Sequence, residues 1–208
     1  MNSDKTNIDN FINYNYTPYS RGQCVKRVIW LLMSCAVCGF VGGFSIVWLC
    51  ISALIFCTAV VILINNGKNN KGTMQQRFIG DGVFYLAMSL ELNLLSYRTF
   101  TIGKGANMLL LLVILAILAA SMAAMRKTVQ RNIAKNNYAK GSSGSTATGA
   151  ILFSALGVLI APLILAGESQ DAYIMIIASI LLLCSILLGV GTMNLMKLRY
   201  LSNKHQSV

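Results

Sequence analysis

The chain has 208 residues, 56% of them hydrophobic and only 11% charged, with a formal net charge of +11 at pH 7. Soluble domains carry about 25% charged residues, so this composition, with a mean hydropathy of +0.65, excludes an ordinary soluble fold and points to an integral membrane protein. A single histidine, His205, excludes multi-histidine zinc sites and histidine-based catalytic triads.

Residues 1–25 form a polar, Asn-rich arm whose aromatics Phe11, Tyr14, Tyr16 and Tyr19 precede Arg21, Lys26 and Arg27. Its apolar run starts too late for a cleaved signal peptide. The arm is expected to lie in the membrane interface or to dock a cytoplasmic partner. Residues 28–64 carry no charged side chain, and as one helix they would extend roughly 55 Å, nearly twice the hydrocarbon thickness. Gly42-Gly43 is the natural break, because paired glycines adopt backbone angles that a helix interior does not use. The run therefore divides into spans of about 26–41 and 45–64.

A third segment, 78–97, holds Glu91 and Asn93 within the run AMSLELNLLS. It is either a span with a buried acid or a segment that only dips into the interface. Further spans are expected at about 106–125, 149–166, with Pro162 near its end, and 172–195. A connection at 126–148 starts as a basic helical extension and ends in a Gly/Ser/Thr-rich linker that lacks a phosphate-loop motif.

Charge decides the third segment. If it crosses and the N-terminus is cytoplasmic, fifteen basic residues face the cytoplasm and only Arg98 and Lys104 face outward; if it does not, the tally becomes nine against eight. Because basic residues in short loops favour the cytoplasm, the expected fold is an all-α bundle of six transmembrane helices spanning 26–197, with both termini cytoplasmic and a tail at 198–208. The basic residues are distributed over every cytoplasmic segment. That pattern fits topology and attraction to anionic inner-leaflet lipids, and it argues against nucleic acid.

Small residues at four-residue spacing mark expected helix-packing faces: Cys35, Gly39 and Gly43; Ala116, Ala120 and Ala124; Gly157 and Ala161; Ser185 and Gly189. Five of the six cysteines fall in spans, which reads as packing rather than disulfide or metal chemistry. No paired-carboxylate constellation is present, so no catalytic residue, metal or cofactor is expected and the protein is read as a non-enzyme.

Glu91 is the outstanding residue. A buried acid costs at least about 2.5 kcal/mol unless it is paired, hydrated or protonated, and such residues are functional candidates. Arg98, two turns toward the outer surface on the same face, is placed to pair with it directly or through water. On another face, Gly82, Ser89, Asn93 and Ser96 form a small, polar stripe. Glu91, Asn93 and Arg98, with Asp81 near the inner mouth, are the candidate translocation or ligand residues. The expected function is a permease or membrane subunit of a small-molecule or ion transport system in a cell membrane, best suited to a bacterial inner membrane, with a cytoplasmic ATPase or another membrane subunit as partner. In helix count this is similar to ABC-2-type permeases and vitamin-binding S components. The alternative is a non-transporting interaction protein: an immunity, assembly or sensor component.

Overall fold

The computed structural model describes residues 2–14, 21–68, 73–105, 107–139 and 170–206. All regular structure among them is helical: α1 (Asn2–Asn13), α2 (Arg21–Phe40), α3 (Ile46–Lys68), α4 (Met74–Phe100), α5 (Met108–Ala134), α6 (Gln170–Gly189), a 3-10 turn (Val190–Thr192) and α7 (Met193–Gln206). Five stretches are long and apolar enough to cross a membrane: Gly22–Phe40, Ile46–Asn66, Met74–Phe100, Met108–Ala134 and Tyr173–Ser202. The span expected at 149–166, with the packing residues Gly157 and Ala161, lies outside the described residues, as does the Gly/Ser/Thr-rich part of the linker.

The helices run past the apolar windows that announced them. α2 begins at Arg21 rather than near 26, and α5 continues to Ala134. Hydropathy marks where lipid ends, whereas helix ends are set by backbone donors and acceptors finding partners. Thus α4 starts at a capping box, in which Gln76 N donates to Thr73 Oγ1 at 3.3 Å and Thr73 N to Gln76 Oε1 at 3.2 Å. α5 starts at Asn107, whose side chain accepts from Leu110 N at 3.1 Å. The break after α2 falls at the expected glycines, with φ of +69° at Gly42 and +98° at Gly43.

α4 is the central helix and packs against α2, α3, α5, α6 and α7. It runs unbroken through AMSLELNLLS, so the doubtful segment is one helix of 27 residues, about 40 Å long. α6 is antiparallel to it: Ser96 bonds Ala178 at one level, Ser89 bonds Ser185 at the next, and Gly82 faces Leu195 beyond. The apolar outer faces of α2, α3 and α5, including Trp30, Val47, Leu54, Leu109 and Leu112, are exposed, as lipid-facing surfaces are.

The arm folds back onto its own chain. Ile8, Phe11 and Ile12 share a face of α1 at helical spacing, and Phe11 and Ile12 are buried. Phe11 stacks on Tyr138 and Tyr200 at 4.9 and 5.9 Å between ring centroids, and Asn10 donates to Asn136 at 3.0 Å. The first and last helices therefore meet at one end of the bundle, beside the C-terminal end of α5. Tyr16 and Tyr19 lie outside the described residues.

Two packing expectations are corrected. Ala116, Ala120 and Ala124 are exposed; the buried stripe of α5 is Ile114, Leu118, Met125, Val129 and Ile133. Spacing of four places residues on one face without saying which face packs, and alanine facing outward in lipid carries no penalty. Gly43 sits in the turn with open space around its α-carbon, not in a helix contact. The remaining described positions do pack. Cys35 is buried; a Cβ at Gly39 would meet Leu49 Cδ1 at 2.8 Å; Gly189 lies against Met122, Ser89 and Leu118.

Candidate functional site

The polar residues of α4 form a column along the helix, and each level meets a different neighbour. At the N-terminal level Asp81 is clamped by two arginines: Arg27 of α2 bonds Oδ1, and Arg77 Nε, one turn earlier on α4, lies 2.5 Å from Oδ2. Arg77 also donates to Gln23 at 2.5 Å, and the Arg27 guanidinium stands 5.7 Å from the centre of the Phe84 ring. This carboxylate is fully engaged.

At mid-helix two faces carry polar groups. On the side toward α6, Ser89 Oγ donates to Ser185 O at 2.8 Å and Ser185 Oγ to Ser89 O at 2.7 Å. One level further, Ser96 Oγ donates to Ala178 O at 2.7 Å. Asn93 lies between those levels, 1% exposed, and neither its Oδ1 nor its Nδ2 has a hydrogen-bond partner among the described residues.

On the side toward α3, Glu91 is 1% exposed. Its Oε2 accepts a hydrogen bond from Ser52 Oγ, while Oε1 has no partner among the described residues. The buried thiols of Cys35 and Cys38 on α2 neighbour the same serine. This carboxylate is half engaged.

The expected pair between Glu91 and Arg98 does not form. Arg98 Nη2 instead donates to the carbonyls of Val41 and, at 2.6 Å, Gly43. Seven residues of helical rise, about 10.5 Å, separate the two side chains. The carbonyls at the C-terminal end of α2 are nearer, and they carry the negative end of that helix dipole. Arg98 thus closes the turn between α2 and α3. Of the four candidate residues, Glu91 and Asn93 share one buried level of the bundle, Arg98 lies beyond one end of it and Asp81 beyond the other.

Three participants escaped the sequence reading. Ser52 had a visible signal, a serine in the otherwise apolar start of α3. Arg27 and Arg77 were counted only as topology signals, although the four-residue step from Arg77 to Asp81 is the spacing of a helical ion pair. Comparison with protein-family models, curated proteins and solved structures finds no match to this chain.

Proposed function

We propose that the chain is a permease or membrane subunit of a small-molecule or ion transport system, with the Glu91 level of α4 as its solute-handling site. The observation that carries the reading is Glu91 Oε1, a buried carboxylate oxygen without a hydrogen-bond partner among the described residues, with both amide atoms of Asn93 in the same condition on the α6 side of the helix. A buried polar group left unpaired costs about 1–3 kcal/mol, and an acid in a span costs more. A site that binds water or a cation in one state of a transport cycle accounts for that cost; a purely structural role does not.

We place both termini in the cytoplasm and count six crossings. Two features support this. Arg27, Arg77, Arg126, Arg131, Lys197 and Arg199 lie toward the end of the bundle where α1 and α7 meet, and Arg98 and Lys104 lie toward the other. Ala139 and Gln170, which bound the segment 140–169, fall at opposite ends of the bundle, which favours one more crossing between them. A bacterial inner membrane and a separate ATPase or second membrane subunit complete the reading. The rival reading, an interaction protein, loses one support, because Phe11 is spent on α5 and α7 rather than left for a partner.

The test is electrical recording from reconstituted protein on a solid-supported membrane during jumps in proton, sodium and potassium concentration. Wild type is expected to give transient currents that Glu91→Gln and Asn93→Ala abolish. Equal currents in wild type and Glu91→Gln would remove Glu91 from the path, and recovery of another membrane protein with no current in any condition would favour the rival. Labelling of a cysteine at Gly103 by an impermeant maleimide on intact cells checks the orientation.

A further inference from the structure

Lys197 is only 3% exposed, yet among the described residues no carboxylate forms an ion pair with it. Its ammonium donates to Tyr14 O at 2.5 Å and stands 5.4, 5.6 and 5.9 Å from the ring centres of Phe78, Phe11 and Tyr14. Such ring contacts contribute about 0.5–2 kcal/mol each, against a desolvation penalty of several kcal/mol for a buried ion. An ammonium has three donors, and one is taken by Tyr14. Asp81 is the nearby acid of α4, but two arginines already share it.

Lys197 also lines a cleft of about 330 Å³, with Tyr14, Asp81, Tyr85, Met193 and Asn194 among its walls. That volume is in the range of small-molecule sites. The neighbouring groove lined by Arg126 and Arg199 differs in kind, because both arginines are exposed and water already solvates them. Of the two, the Lys197 cleft is the one that holds a buried cation with donors to spare. It lies on α7, where basic residues, Lys197 and Arg199, reappear after the apolar run of α6.

We propose that this cleft is a phosphate-binding site, anchored by the Lys197 ammonium, which takes the phosphate either of an anionic lipid headgroup or of a small soluble solute. Lysine serves phosphate as a point charge, and basic pockets between membrane helices hold anionic headgroups in this way. Neutralised by Arg27 and Arg77, Asp81 does not repel the ligand. Occupancy ties α1, through Tyr14, to α4 and α7. The site is separate from the Glu91 level and does not depend on the transport reading.

The test uses the full chain purified in neutral detergent. Native mass spectrometry measures retention of phosphatidylglycerol against phosphatidylcholine, and equilibrium dialysis measures radiolabelled inorganic phosphate. The variants are Lys197→Gln, which removes the charge, and Asn194→Leu, which obstructs the cleft and leaves Lys197 and its rings in place. Wild type is expected to retain one phosphatidylglycerol in preference to phosphatidylcholine, and each variant to lose at least about tenfold of that retention. Binding of inorganic phosphate that displaces the lipid identifies a soluble source; lipid retention without phosphate binding identifies the headgroup. Equal retention by wild type and Asn194→Leu, or binding of neither probe by wild type, overturns the proposal. Because the Asn194 variant keeps the lysine, a folding failure of Lys197→Gln does not obscure the answer.

Discussion

Asp81 and Glu91 are both buried acids of α4, at 6% and 1% exposure, and the bundle treats them in opposite ways. Asp81 receives one cation from its own helix and one from α2, whereas among the described residues Glu91 receives a single neutral hydroxyl and keeps one oxygen unpartnered. An acid that meets its full charge complement joins helices together. An acid that meets half of its hydrogen-bonding capacity raises the energy of the resting state, a cost that a proton, a water or a cation relieves. The same residue chemistry is therefore structural at one level and, on the transport reading proposed above, functional at the other.

The largest expected effect tests the first half of that contrast. Asp81→Asn keeps the shape and removes the charge, leaving Arg27 and Arg77 without their shared counter-ion. Breaking a buried ion pair from one side costs about 3–5 kcal/mol. Thermal unfolding followed by size-exclusion fluorescence is expected to show a strongly lowered transition or no folded fraction. Wild-type behaviour would mean that the arginines are solvated and the clamp is incidental.

Next comes the close approach that holds the Asp81 end shut. A Cβ at Gly191 would collide with Cβ and Cγ of Tyr85, the stiff base of that side chain. Gly191→Ala therefore has to separate α4 from the 3-10 turn, at about 1–3 kcal/mol. At Gly82 the obstacles are Cδ2 and Cγ of Leu195, both 2.5 Å away and at least one bond further from the backbone than the Tyr85 Cβ, so Gly82→Ala is expected to cost less. Reversal of that order in thermal unfolding would show that the turn, not α7, is the softer neighbour.

These contacts also mark the limit of what the sequence discloses. Apolar length and the glycine pair at 42–43 announced the spans and the first reversal, because hydrocarbon thickness leaves few alternatives. The buried acid at position 91 was legible for the same reason. Its partner was not: Ser52 lies 39 residues away, and nothing in a one-dimensional pattern says which face of α3 meets α4. Arg98 was assigned to Glu91 because both share a helical face, while the carbonyls of Val41 and Gly43, invisible to residue-type reasoning, won the guanidinium. The alanine stripe of α5 failed similarly, since periodicity defines a face and packing chooses it. Lys197, read as one more inner-leaflet charge, needed the return of α1 to become a buried cation.

The second half of the contrast predicts a dissociation. Glu91→Gln preserves an acceptor for Ser52 and removes the buried acid, so stability is expected to stay within about 1 kcal/mol of wild type, or to rise, while the transport currents vanish. A loss as large as that of Asp81→Asn, measured by the same unfolding assay, would class Glu91 with Asp81 as a structural acid and end the distinction between them.

The smallest effect supplies the scale for the two carboxylates. Ser185→Ala removes one hydroxyl from the reciprocal pair with Ser89, but Ser89 Oγ still reaches Ser185 O at 2.8 Å, and the Ser89 carbonyl keeps its place in the α4 backbone. Interhelical bonds of this kind average about 0.6 kcal/mol, so the unfolding transition is expected to move only slightly. If it does, polarity by itself is a minor term in this column, and a large response at Asp81 must come from charge. If Ser185→Ala instead approaches the Asp81 effect, the α4 and α6 contact is the dominant brace, and the two carboxylates have to be compared again with that brace in place.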